Sequence, residues 1–310
     1  MKAVRYHDFG SSEVLRYEEV ERPVPDTGQV LVRVAATSFN PVDDHIRAGA
    51  LNAMLPIALP HVPGIDLAGT VAELGPEVTG VAVGDRVVAM LPLDVVGAAA
   101  EYVLAPAEAL AAAPRSIDLV DAAALPLTGL SAWQVLFELA ELKPGQTVLV
   151  NGAGGAVGGL AVQLAVEAGA QVTASASPRH AERLRGYGAR VVDRLDLAAG
   201  PATVGGPFEV VLNHVRGTEE AAAQLSHYVA DGGVAASTAG PIPEDPARSV
   251  RAAGLWVRGD AVQLTELVTR VDDGRLRIHI ADRRPVAESR AVHEDSAAGR
   301  LPGKTVLIAP

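Results

Sequence analysis

Five glycines, Gly152, Gly154, Gly155, Gly158 and Gly159, fall within eight residues directly after the apolar run Thr147–Asn151. Backbone N–H groups at a helix N-terminus bind a pyrophosphate, provided no Cβ stands in the way. The spacing is Ala153-x-Gly155-x-x-Gly158, with alanine where the commonest dinucleotide fingerprint has its first glycine. Gly155 would admit the phosphates, and Gly158 would let the following helix close on its strand. That helix is written in Val157, Leu160, Ala161, Leu164 and Ala165, which recur on one face until Gly169 stops it. Gln171–Ala176 is the next strand candidate. The stretch therefore reads as a βαβ unit of the dinucleotide-binding type. Its loop candidates are Gly152, Ala153, Gly155, Ala156, Val157 and Gly158. The bland alternative is a turn of small residues that binds nothing.

Ribose recognition narrows the cofactor. An Asp or Glu about 20 residues past the glycines holds the ribose hydroxyls of NAD. Counting from Gly155 arrives at Ser175, in the stretch SASPRHAERLR, whose first acid is Glu182 inside a helical segment. Ser175, Ser177 and Arg179 instead suit a 2′-phosphate, which an acid would repel and an arginine would attract. The expected cofactor is NADPH rather than NADH. The alternative for these arginines is a solvated helix face.

The elements that must position this loop follow from the rest of the chain. The length of 310 residues predicts two domains, and 49% apolar residues permit a substantial core. Residues 1–116 hold many short strands separated by Gly and Pro, as in a compact β-barrel. Over residues 117–133 the chain changes character, and DLVDAAALPLTGLSAWQVLFELAEL is helical in periodicity, with breaks expected at Pro126 and Gly129. RVVD (190–193), FEVVLN (208–213), GVAAST (233–238) and GLWVRG (254–259) are further strands, separated by helices over 178–186, 217–230 and 261–273. Six strands with helical crossovers predict a doubly wound parallel sheet. The last segment, 260–310, with the strands RIHIA and KTVLIA, returns to the first domain. The fold class is α/β: a discontinuous first domain of 1–116 and 260–310, and a Rossmann domain of 117–259.

Composition removes several function classes. There is no cysteine, which excludes disulfides, thiol nucleophiles and thiolate zinc sites. His45, His61, Asp43 and Asp66 lack the tight spacing of a metal set. The net charge of −11 argues against nucleic acid or an anionic membrane as partner. No run of about 18 apolar residues free of charge and proline stands out, so no membrane-crossing helix is expected. The start, MKAVRYHDFG, lacks the apolar core of a signal peptide, and a cytoplasmic protein is expected.

SFNPVDDHIRAG, VPGIDLAGTVAELG, GVAVGDRVV, AALPLTGLSAW, VLVNGAGGAVGGLAVQLA and PGKTVLI occur in this order along the whole chain. Together they resemble the zinc-independent medium-chain dehydrogenase/reductases, in particular the quinone oxidoreductase branch. The resemblance implies a GroES-like catalytic domain interrupted by a Rossmann domain, with the active site in the cleft between them. It also implies a homodimer, paired through the last Rossmann strands. Where the zinc branch carries a catalytic Cys and a Gly-His-Glu segment, this chain reads Ser38–Asn40 and Gly64-Ile65-Asp66.

Several residue roles come with that resemblance. Asn40, Asp43 and His45 would line the cleft near the nicotinamide. His45 stands where many relatives carry tyrosine and is the candidate proton donor; Asp43 is more naturally a structural hydrogen-bonding group, and Asp66 would orient a turn. Arg194 stands where relatives often place a tyrosine on the 2′-phosphate. Thr128, Asn213, Ser237 and Thr238 would contact the cofactor, while His214 departs from the family pattern. Trp256, in GLWVRG, would sit at a substrate mouth, in a subunit interface or in ordinary core. The implied chemistry is zinc-free hydride transfer from NADPH to a small molecule, a quinone or an α,β-unsaturated carbonyl. The alternatives are a non-catalytic NADPH-binding regulatory or structural protein and an enoyl reductase of a biosynthetic pathway.

Overall fold

The computed structural model describes residues 1–310 and divides the chain into two compact units. The first comprises Met1–Leu127, Arg258–Gly274 and Ile278–Pro310; the second comprises Thr128–Val257 and Arg275–Arg277. The first crossing thus falls at the start of a helix rather than after residue 116.

Fifteen strands and eight α-helices make up the chain. In the first unit these are β1 (Lys2–Arg5), β2 (Arg16–Glu19), β3 (Gln29–Ser38), α1 (Pro41–Arg47), β4 (Asp66–Leu74), β5 (Arg86–Met90), β6 (Tyr102–Pro106), β7 (Ala111–Ala112) and α2 (Leu119–Ala122). Helix α3 (Pro126–Gln134) leads into the second unit, which holds β8 (Thr147–Asn151), α4 (Ala156–Glu167), β9 (Gln171–Ser175), α5 (Ala181–Gly186), β10 (Arg190–Val192), β11 (Phe208–Asn213), α6 (Glu219–Ser226), β12 (Val229–Ser237) and β13 (Arg251–Gly254). The chain ends with α7 (Ala261–Asp272), β14 (Asp282–Pro285), α8 (Ser289–Ala297) and β15 (Thr305–Ile308) in the first unit.

The second unit is a six-stranded, fully parallel sheet in the order β10-β9-β8-β11-β12-β13. This is the dinucleotide-binding order, whose ligand crevice opens outside the carboxyl ends of the central strands, here β8 and β11. A core of Leu149, Phe208, Val211, Leu225, Tyr228 and Ala235 fixes those strands. The first unit is a largely antiparallel sheet, β14-β15-β3-β4-β5-β7, with β6 also paired to β3 and only β14 and β15 running parallel to each other. Val30, Val32, Val34, Leu67 and Val71 alternate inward along β3 and β4, as a half-buried strand requires.

Three elements differ from the sequence expectation. GLWVRG is not a strand: β13 is Arg251–Gly254, one further rung runs from Leu255 N to Ser237 O, and Trp256 is then 54% exposed. RIHIA is not a strand either, because Arg277 spends its backbone groups on a side chain: its N–H donates to Gln163 Oε1 at 2.8 Å and its carbonyl accepts from Gln163 Nε2 at 3.0 Å. The strand of that segment is β14. Gly129 does not break its helix. The expected break at Pro126 is present, since α2 ends at Ala122 and α3 starts at Pro126. Counted through that turn, the run Leu119–Leu139 is 21 residues long, with mean hydropathy 1.3, long and apolar enough by length and composition to cross a membrane. In that run 78% of the apolar window is buried inside the protein, the signature of a core helix.

Candidate active site

The glycine turn is built as its spacing demands. Gly152 takes φ +84°, which turns the chain sharply at the end of β8, and Gly155 caps α4. A Cβ on Gly158 would lie 2.4 Å from Gly152 O and 2.8 Å from Ala153 Cα, so only glycine lets α4 start against this turn. A Cβ on Gly155 would meet nothing nearer than Gly152 O at 3.5 Å, and Gly155 is exposed. The first-turn N–H groups of α4, on Ala156, Val157 and Gly158, have no carbonyl a turn back to bond. An anion approaching Gly155 meets bare backbone and the positive end of a 12-residue helix. These residues fit the pyrophosphate of a dinucleotide.

Polar side chains tie the neighbouring strand ends together. Asn151 Nδ2 donates to Asn213 Oδ1 at 2.9 Å across β8 and β11, and Asn213 Nδ2 donates to Val215 O at 3.0 Å. Ser237 Oγ donates to Asn213 O at 3.3 Å and accepts from Ala239 N at 3.2 Å. His214 Nδ1 lies 2.9 Å from Thr238 Oγ1, while its buried Nε2 has no partner. Burial pushes this imidazole down to about 4, so it is neutral at neutral pH.

Around the ends of β9 and β10 the expected phosphate residues separate. Ser175 is buried and its hydroxyl donates to Asp193 O at 3.1 Å, which ties β9 to the chain after β10. Ser177 is half-buried, and Arg179 and Arg194 are exposed. Arg183 reaches the glycine turn itself, donating from Nη2 to Gly154 O at 2.9 Å.

The first unit centres on buried Asp66. Its Oδ1 accepts the Leu127 N–H at 2.7 Å. Its Oδ2 accepts from Asn40 Nδ2 at 2.8 Å, from Lys304 Nζ at 3.2 Å and from the Ser38 hydroxyl. Lys304 Nζ also donates to Asn40 Oδ1 at 2.7 Å. The carboxylate is thus fully engaged, and no group of three or more His, Cys, Asp or Glu side chains in the chain converges on a metal-sized point.

Asp43 and Asp44 diverge, as consecutive helix positions about 100° apart must. Asp44 turns to His293 at 2.7 Å, Ser296 at 2.8 Å and Arg47 at 3.1 Å. Burial pushes its carboxyl up, yet the His293, Ser296 and Arg47 hydrogen bonds hold it below the usual range. Asp43 turns inward, and its Oδ2 accepts the Asn40 N–H at 2.8 Å. Burial, aided by Asp66 and Asp44, lifts it to about 7 against the pull of Asn40 N–H and Lys304. His45, between Asp44 and Ile46 on the same helix, is half-buried.

Two family models match this chain. Residues 26–115 match the alcohol dehydrogenase GroES-like domain, and residues 187–307 match the zinc-binding dehydrogenase. The chloroplast envelope quinone oxidoreductase homolog of Arabidopsis thaliana is 30% identical over 99% of this chain and 98% of its own. The chloroplastic quinone-oxidoreductase homolog of Spinacia oleracea is 35% identical, over 61% of this chain and 59% of its own length. The quinone oxidoreductase of Coxiella burnetii superposes with a TM-score of 0.87 at 29% identity, covering 100% of this chain and 99% of that one. A mycobacterial protein whose structure is complexed with NADPH superposes at 0.85 with 29% identity, over 99% of both chains.

The chain is a medium-chain dehydrogenase/reductase of the quinone oxidoreductase branch.

In this medium-chain dehydrogenase/reductase the structure brings Asn40 and Asp43 into one buried network with Ser38, Asp66 and Lys304. It brings Asn213 to Ser237, with Thr238 alongside at His214, at the strand ends, and sets Gly152–Gly158 beside them. Thr128 is buried. Arg183 belongs to SASPRHAERLR, the stretch read for a 2′-phosphate, and bonds to the glycine turn, whereas Lys304 is the member that the sequence does not announce. Lys304 lies within PGKTVLI, yet nothing local to that motif announces a partner more than two hundred residues away.

Proposed function

We propose that the chain is an NADPH-dependent oxidoreductase that delivers hydride to a quinone or an α,β-unsaturated carbonyl without zinc. The observation that carries the reading is the glycine turn at the start of α4, open at Gly155 and closed at Gly158, beside the ends of β8 and β11. A bound nicotinamide supplies the hydride from its C4 position. The amides of Ala156, Val157 and Gly158 hold the pyrophosphate. Ser177, Arg179 and Arg194 hold the 2′-phosphate, and the complex of a structural neighbour with NADPH agrees with that choice. Asn213, Ser237 and Thr238 shape the strand-end floor, and Thr128 lies near the nicotinamide.

Asn40 and Asp43, both buried and bonded, act as positioning residues, and His45 is the proton donor to the reduced substrate. Polarisation of a carbonyl falls to hydrogen-bond donors, since Asp66 is saturated by Lys304, Asn40, Ser38 and the Leu127 N–H. A homodimer resident in the cytoplasm completes the proposal.

The test is NADPH and NADH oxidation by stopped flow against a panel of quinones, enals and enones, before and after exhaustive chelation. Turnover that prefers NADPH and survives chelation is expected. Cofactor binding without turnover on any acceptor would make the chain a binding protein. Loss of activity with stoichiometric zinc would overturn the metal-free chemistry. In the same assay His45→Phe should lower enone turnover about 10²-fold or more, the scale of a positioned acid, with little change in NADPH affinity.

A further inference from the structure

Three buried side-chain polar atoms in the chain have no partner: Tyr6 Oη, Thr37 Oγ1 and His214 Nε2. One of these residues, Tyr6, lines a small cavity in the first unit. Tyr6, Asp43, His61 and Gly64 line a space of about 10 Å³ there. Thr37 Oγ1 stands behind the Gly64 wall, 2.9 Å from where a Cβ on Gly64 would be. Such a volume is about that of one water molecule, and a buried water needs two to four polar partners.

The chain fixes those partners from three directions. Tyr6 and His61 form an isolated antiparallel bridge, with Tyr6 N to His61 O and His61 N to Tyr6 O both at 2.9 Å. Their rings therefore lie side by side, centroids 5.4 Å apart. Asp43 comes from α1, with one carboxyl oxygen taken by the Asn40 N–H. An unpaired buried phenol forfeits its hydration with nothing in return, so a fold that keeps Tyr6 fully buried is expected to give its hydroxyl a partner.

We propose that this cavity is a site for one internal water molecule, which joins the Tyr6 hydroxyl, the Asp43 carboxyl and the His61 ring into a relay that takes up and releases a proton. In the neutral state the Asp43 carboxyl donates its O–H to the water. On release the proton passes through the water to bulk solvent, which reaches the cavity beside exposed Pro92 and Val95, and Asp43 becomes a carboxylate that then accepts the water's O–H; no other bond changes. His61, held neutral by burial at neutral pH, offers a ring nitrogen. Around Asp43 stand Asp44 and Arg47 on its own helix, Asp66 on β4, Lys304 before β15, Tyr6 and His61. Burial, Asp66 and Asp44 favour the proton, and the Asn40 N–H and Lys304 oppose it. This balance places the exchange near neutrality.

Two measurements on the full-length protein decide it. A high-resolution crystal structure should show a water in this cavity within hydrogen-bond distance of Tyr6 Oη and Asp43. The carboxyl ¹³C resonance of Asp43 should titrate near neutrality, and Tyr6→Phe should move that midpoint upward by about half a pH unit or more, roughly threefold in acid constant, because the water, no longer polarised by the Tyr6 O–H, donates more weakly to the carboxylate. A cavity closed by direct contact between Tyr6 and Asp43 would overturn the proposal, as would an Asp43 midpoint that Tyr6→Phe leaves unmoved. If Tyr6→Phe fails to fold, His61→Gln takes its place in the titration, and a midpoint it leaves unmoved overturns the relay.

Discussion

Asp43 and Asp66 are both buried carboxyls of one unit, yet they differ in company. The Asp66 carboxylate bonds to a cation, and the Asp43 carboxyl to the neutral Asn40 N–H. Asp43 ionises at about 7 in the fold against 3.8 for an unfolded aspartate, so the fold binds the proton more tightly than the open chain does. That stabilisation is complete below about pH 4 and is lost as pH climbs through 7. Asp43→Asn keeps an acceptor for the Asn40 N–H and removes the titration. Urea midpoints at about pH 5 and about pH 8 should therefore fall less in Asp43→Asn than in the natural protein. Identical slopes would show that Asp43 ionises in the usual range. Lys304→Met should do the opposite kind of damage, since it strands the Asp66 carboxylate in the core at a cost of about 3–5 kcal/mol. Asp66→Asn combined with Lys304→Met should recover much of this, and a double variant as unstable as the single one would show that the pair is not the unit of stability. None of this network is legible in the sequence, because Ser38, Asn40, Asp66 and Lys304 meet only after β3, β4 and β15 have paired.

The glycine turn is the element that the sequence spelled most fully. Strand, turn, helix and strand each carry their own period or breaker, and the interactions that shape them are local. Its two key glycines should separate on substitution. Gly158→Ala forces a Cβ into the backbone of Gly152 and Ala153, and should cost about 1–3 kcal/mol in thermal or urea unfolding. Gly155→Ala has room and an ordinary φ of −74°, so stability should hold while NADPH affinity, read by fluorescence titration, falls. Equal losses of stability in both would contradict the division of labour between them. The elements that sequence missed fail for a common reason. Gln163 captures the backbone of Arg277, and the ladder beyond Gly254 ends after one rung at Leu255. An apolar run says that a segment is buried or paired and leaves open with what. Gly129 reads as a breaker in the sequence, yet a glycine inside a well-packed helix costs only about 1 kcal/mol, which tertiary contacts easily exceed.

At the scale of the molecule, the second unit ends its sheet on β13, a strand of four residues paired on one side only, with Trp256 54% exposed just beyond it. Edges of this kind invite a second copy. We expect a homodimer by light scattering at micromolar concentration, and a monomer from Trp256→Glu; a natural protein that is monomeric there would remove the edge as an interface. The order of assembly along the chain has a consequence of its own. Strand β15 closes the first sheet against β3, and Lys304 beside it carries the counter-charge of Asp66, so the opening 127 residues lack both until residues 304–308 exist. On a ribosome the parallel sheet, all of whose strands lie within 147–254, can form while the amino-terminal sheet is still waiting. Nascent chains halted after residue 280 should therefore present a protease-resistant middle and a cleavable beginning, and only release of the last strand should protect both.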